Sequence, residues 1–197
     1  MSAGAPAARR LRRGAALFAA AILGACSTLP PAAGILTYSG KFALRVSGTE
    51  HQDTMNGRFA LSVDDAGVTL DLSTPLGTTV ARIRSGPQGA LLTVPGSEGL
   101  RTEQGPDPDA LSQRVLGWTL PVSGIRDWIE GRPAAGRPYR LSAADDGGSL
   151  LEQDGWTIRL DPRGADGHIR KLDMNRAQQG EAPSVSLRVV LDPGAPG

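Results

Sequence analysis

The sequence predicts a mainly β protein, with about eleven short strands in one curved antiparallel sheet or incomplete barrel under a lid of two helices. Three observations carry that expectation. Apolar and polar residues alternate along most of the chain, the alternation breaks once for two stretches of helical spacing, and turn-forming pairs punctuate the strands. A sheet with one apolar face has to cover it, and those two helices are the only helical segments on hand to do so.

The chain opens with Arg9, Arg10, Arg12 and Arg13 and no acidic residue, followed by the apolar run Ala15 to Leu23. As a helix that run spans about 14 Å, too short for a bilayer. A basic start, a short apolar stretch and small residues before a cleavage point make an export signal over residues 1–25. Leu23-Gly24-Ala25-Cys26 resembles the lipobox of bacterial lipoproteins, which implies cleavage before Cys26, a diacylglyceryl group on its sulfur and an acylated amine. Cysteine usage agrees, because the sole cysteine has no disulfide partner in the chain. Two or more acyl chains anchor a protein stably where one does not. Ser27 follows the lipidated position, and resemblance to enterobacterial lipoproteins implies that it suits the outer membrane.

Cleavage leaves about 170 residues, enough for one domain. It also removes four arginines, taking the formal charge from +1 to −3, so the basic balance belongs to the leader and no nucleic-acid footprint remains. Residues 26–38, with Pro30 and Pro31, read as a lipidated tether with a reach of about 20 Å. The folded domain is expected over 39–191, and the Pro- and Gly-rich residues 192–197 as a disordered tail.

Within the domain, Phe42, Leu44 and Val46 share one strand face, and Phe59, Leu61 and Val63 share another with Arg58 and Ser62 opposed. Val68, Leu70 and Leu72 alternate with Thr69 and Asp71. Strands follow over Thr78 to Ser85, Ala90 to Val94 and Leu100 to Gln104. Asp107 then suits a helix cap, Pro108 the first helical position and Gly117 the end. A second helix follows Pro121, with Ile125, Trp128 and Ile129 on one face and Gly131 and Pro133 as its stop. After residue 138 the strands resume, including Leu151 to Gln153 and Trp156 to Leu160 joined by the hairpin pair Asp154-Gly155. Ile169 to Met174 and Val185 to Leu191 complete the series.

Six phrases in order, from about residue 39 to 160, carry a resemblance. They are Ser39-Gly40-Lys41-Phe42-Ala43-Leu44, Gly57-Arg58-Phe59, Leu72-Ser73-Thr74-Pro75-Leu76-Gly77-Thr78, Leu116-Gly117-Trp118-Thr119-Leu120-Pro121-Val122, Trp128-Ile129-Glu130-Gly131 and Gln153-Asp154-Gly155-Trp156. Behind a lipobox, the set resembles the LolB family. That resemblance implies an open barrel of roughly eleven strands with an apolar cavity under a helical lid. It further implies an outer-membrane receptor, anchored at Cys26 on the periplasmic face, that accepts lipoproteins from the periplasmic carrier LolA and inserts them into the inner leaflet of the outer membrane.

The site residues follow from pattern and resemblance together. Thr74-Pro75-Leu76-Gly77 suits a tight turn with Leu76 at its tip. An exposed leucine there forgoes about 1.5–3 kcal/mol of burial that a bilayer can restore, and the resemblance implies that this leucine inserts cargo. Candidates for an acyl-chain cavity are Phe42, Leu44, Phe59, Leu61, Leu70, Leu72, Val80, Leu92, Trp118, Trp128, Trp156 and Ile158, each of which an ordinary core would also use. Each buried methylene contributes about 0.8 kcal/mol, so such a cavity needs no polar contact and ignores cargo sequence.

Enzyme signatures are poor. His51 and His168 sit in no catalytic motif, and the paired aspartates fall at turns or helix starts, where Asp is ordinary. Gly34 to Lys41 is one residue too long for a phosphate loop and has Phe42 where Ser or Thr is needed. The expectation is a monomer with no enzyme activity, metal or cofactor. The rivals are a scaffold lipoprotein with a filled core and a periplasm-facing hydrolase.

Overall fold

The computed structural model of the chain describes residues 34–48 and 52–194, so the leader, Cys26 and His51 lie outside the described residues. Among the described residues, eleven antiparallel strands form one sheet. In chain order they are β1 (Leu36–Ser47), β2 (Gln52–Asp64), β3 (Gly67–Ser73), β4 (Thr79–Gly86), β5 (Gly89–Gly96), β6 (Gly99–Gly105), then β7 (Tyr139–Ala143), β8 (Ser149–Gln153), β9 (Trp156–Leu160), β10 (Lys171–Arg176) and β11 (Ser184–Leu191). The spatial order is β6-β5-β4-β3-β2-β1-β11-β10-β9-β8-β7. The first strand therefore pairs with the last, and β6 and β7 remain as two separate edges. The barrel is not closed.

Alternation sets the inside. Phe42, Leu44 and Val46 on β1, Phe59, Leu61 and Val63 on β2, and Val185, Leu187 and Val189 on β11 are all buried, while their neighbours along the strand face outward. The first strand starts at Leu36, earlier than the domain boundary expected at 39, because Tyr38 is buried and its hydroxyl donates to Glu130 Oε1 at 2.5 Å. At the other end Asp192 is tied in as well: its N–H donates to the Ser39 carbonyl at 2.8 Å, and its carboxylate accepts from Ser39 Oγ at 3.0 Å.

Two glycines let the sheet curve around large side chains. Gly40 lies opposite Phe59 and Gly57 opposite Phe42 across the β1–β2 ladder. A Cβ on Gly57 would sit 2.7 Å from Phe42 Cε1 and 2.1 Å from the Ser73 carbonyl oxygen, and one on Gly40 would sit 2.7 Å from Phe59 Cε1. Each phenylalanine thus occupies the space its opposite glycine leaves empty.

The helices are α1 (Pro108–Leu116) and α2 (Val122–Trp128). Asp107 caps α1, accepting from the Ala110 N–H at 2.6 Å, and Gly117 ends it in the left-handed region at φ 82°. The second helix has no side-chain cap from Pro121. Its Ser123 instead gives N–H and hydroxyl bonds of 2.9 and 2.8 Å to Asp109 of α1, so the lid holds together as a pair. Ile125, Trp128 and Ile129 are buried on the sheet side, as their spacing requires. Between β8 and β9 the turn Asp154-Gly155 has φ 54° and 77°, the left-handed pair of a tight hairpin.

Candidate functional site

Between the concave face of the sheet and the lid lies a small apolar hollow of about 30 Å³. Its walls are Phe42 and Leu44 of β1, Phe59 of β2, Leu70 and Leu72 of β3, Leu187 and Val189 of β11, and the lid residues Trp118, Leu120, Pro121 and Ile125. Not one lining side chain is polar. Six of the expected residues are therefore brought together: Phe42, Leu44, Phe59, Leu70, Leu72 and Trp118.

The other six do not reach the hollow. Leu61, Leu92, Trp128, Trp156 and Ile158 are fully enclosed in the surrounding core. Val80 is displaced by a β-bulge: Leu72 pairs with Ala81 but Ser73 pairs with Thr79, so Val80 is the extra residue and Ala81 takes the inward place. Five lining residues escaped the sequence reading. Leu187 and Val189 were marked by the alternation of the last strand, and Leu120, Pro121 and Ile125 by the lid segment, but nothing local said which part of the sheet each would face.

The hollow is small. It has room for a water or two and falls well short of the roughly 150 Å³ that admits a benzene ring. In this conformation the hollow is too small for acyl chains, with Trp118, Leu120 and Ile125 of the lid segment among its walls.

A buried amide ties down the chain that leaves the lid. Gln153 of β8 is 3% exposed; its Oε1 accepts from Trp128 Nε1 at 2.8 Å and from the Ala134 N–H at 2.7 Å, while its Nε2 donates to the Ala134 carbonyl at 2.9 Å. Tyr38 adds a second tie through Glu130, and burial followed by that bond holds its phenol well above the ordinary range.

The loop after β3 is a hydrogen-bonded turn. The Gly77 N–H donates to the Thr74 carbonyl at 2.9 Å and the Thr74 N–H to the Thr78 carbonyl at 2.8 Å, while Thr74 Oγ1 accepts from the Thr78 N–H at 3.2 Å. Pro75 suits the second turn position, and Gly77 adopts φ 90°. This closed turn holds Leu76 away from the protein at 96% exposure.

Nothing catalytic gathers around either feature. His168 lies on a surface loop, and no group of three or more potential metal ligands occurs among the described residues. The arrangement defines a class: an open, lidded β-barrel with an apolar interior and a hydrogen-bonded turn that exposes a leucine. The family model for outer membrane lipoprotein LolB matches residues 36–192. Outer-membrane lipoprotein LolB of Ralstonia nicotianae is 35% identical over 195 residues, covering 88% of this chain and 92% of that protein. The protein of the same name from Bordetella pertussis is 36% identical over 181 residues, covering 88% of each. The chain belongs to the LolB family, and the match extends past the phrases legible in the sequence to include the last strands. It is an outer-membrane lipoprotein of the lipoprotein-localisation system and not an enzyme. Among solved structures, the LolA superfamily protein NE2245 from Nitrosomonas europaea overlaps with a TM-score of 0.34 at 13% identity, covering 79% of this chain and 84% of that one. At that score the overlap is too loose to bear on mechanism.

Proposed function

We propose that the protein, anchored through acylated Cys26 on the periplasmic face of the outer membrane, receives lipoproteins from the carrier LolA and inserts them into that membrane. Leu76 carries the reading. A leucine kept in water on a hydrogen-bonded turn forgoes about 1.5–3 kcal/mol of burial, which entry into a bilayer returns. Cargo acyl chains enter between the sheet and the lid when Trp118, Leu120 and Ile125 withdraw. They leave downhill, because a bilayer buries them more completely than a protein rim does, and no covalent bond changes.

The test is delivery to liposomes by full-length lipidated protein carrying Leu76→Glu. Capture of cargo from LolA is expected to survive and delivery to fall to background; normal delivery by the variant defeats the role of the loop.

The small size of the hollow favours a second reading, a scaffold lipoprotein whose core is filled. Displacement of a fluorescent fatty acid separates the two, since the acceptor binds it at micromolar concentration and the scaffold does not.

A further inference from the structure

Beside the Leu76 loop the outer face of the sheet carries a basic depression. Lys41 of β1, Arg58 of β2 and Arg188 of β11 border a shallow groove of about 450 Å³ that also touches Val190 and Pro75, the residue next to Leu76. Register brings them together: Lys41 stands directly opposite Arg58 on one side and Val190 on the other, and Arg188 is opposite Ala43. Cations facing each other across a ladder are unfavourable, and no local sequence pattern places them there.

The balance of charge is incomplete. Arg58 meets Asp192 at 2.7 Å and Arg188 meets Asp173 at 2.5 Å, both on guanidinium groups about half exposed or more. Pairs this wet are worth little. Lys41 has no ion pair among the described residues, and neither β1 nor β11 contains an acidic residue. This positive rim belongs to a domain whose formal charge is −3 once the four leader arginines are set aside. It therefore cannot come from overall composition.

We propose that Lys41, Arg58 and Arg188 form a site for the phosphate headgroup of an anionic phospholipid in the leaflet that Leu76 enters. The site rests on the insertion role of Leu76 and adds the lipid class to it. With the leucine tip in hydrocarbon, Pro75 lies at the interface and the three cations come level with the phosphates, where each basic group gains from a negative surface. The groove's apolar contacts, Pro75 and Val190, suit the acyl side of the lipid next to its phosphate. Lys41 supplies the mobile point charge and the two arginines the planar forks that match phosphate oxygens.

The experiment uses full-length lipidated protein in vesicles of phosphatidylcholine alone or of an equimolar mixture with phosphatidylglycerol. LolA loaded with cargo is added and the rate of cargo insertion is read in each. Wild type is expected to deliver faster to the anionic vesicles, and Lys41→Gln and Arg58→Gln are each expected to lower the anionic-to-neutral rate ratio by about fivefold, the effect of one cation at such a surface. Equal wild-type rates in the two vesicles, or an undiminished ratio in both variants, overturns the site while leaving the loop's role standing. Delivery to neither vesicle overturns the insertion role itself and the site with it. Excess glycerol 3-phosphate should leave the ratio unchanged; if it abolishes the ratio, the groove binds free phosphate esters and the membrane assignment falls.

Discussion

At Asp109 a half-buried carboxylate between the two lid helices accepts both polar hydrogens of Ser123. Burial raises its pKa, with the Ser123 bonds pulling the other way. A carboxyl whose folded pKa exceeds its unfolded value contributes stability below the unfolded pKa and loses it as pH climbs through the folded one. Asn at this position keeps an oxygen for the same two donors and has no charge to bury. Asp109→Asn is therefore expected to raise the thermal midpoint at neutral pH, with the gain shrinking as the pH falls through the raised folded pKa and gone once it is below the ordinary carboxylate range. Melting curves at the two pH values check it, and a lower midpoint at neutral pH would show that the charge itself holds the lid. Sequence marked Asp109 only as part of an aspartate pair at a helix start. Its partner Ser123 lies on the next helix, so its role appears only once the two are docked.

The strand pair β1–β2 stakes its fit on two glycines. A methyl group at Gly57 meets the Ser73 backbone as well as the Phe42 ring, so rotating the ring away cannot relieve the clash. Gly57→Ala is expected to cost about 1–3 kcal/mol, the usual penalty for overpacking a filled site, seen as a lower denaturant midpoint. A midpoint equal to wild type would mean that the strands part there without strain. At this scale most of the fold was legible: the alternation assigned the faces of β1, β2 and β3, and Asp107, Pro108 and Gly117 marked the bounds of α1. What stayed hidden was register. The bulge that puts Val80 out of step follows a turn and has no signature of its own, and the pairing of β1 with β11 joins segments far apart in the chain. The lining by Leu187 and Val189, and the meeting of Lys41 with Arg188 at one groove, depend on that pairing.

For the molecule as a whole, the packing between sheet and lid decides how much room there is for a guest. Leu120 is buried against the hollow from the lid side. Leu120→Ala is expected to destabilise the fold by about 2–5 kcal/mol and, by leaving space where the side chain stood, to tighten binding of a fluorescent fatty acid. Denaturant unfolding and probe titration on the same preparation read the two effects together. Loss of stability with no change in probe affinity would favour the filled-core scaffold. The family phrases in the sequence named the lid and the loop but could not say how tightly the lid sits at rest.

The unjoined edges at β6 and β7 bear on that enlargement. In a seamless cylinder the girth is set by a continuous ring of ladder bonds, and widening it means breaking some of them. Here the wall has a slit, and its two margins can spread by a change of twist distributed over many strands while every rung stays intact. Admitting a long hydrocarbon tail then demands displaced side chains and a raised lid, but no severed backbone pairing.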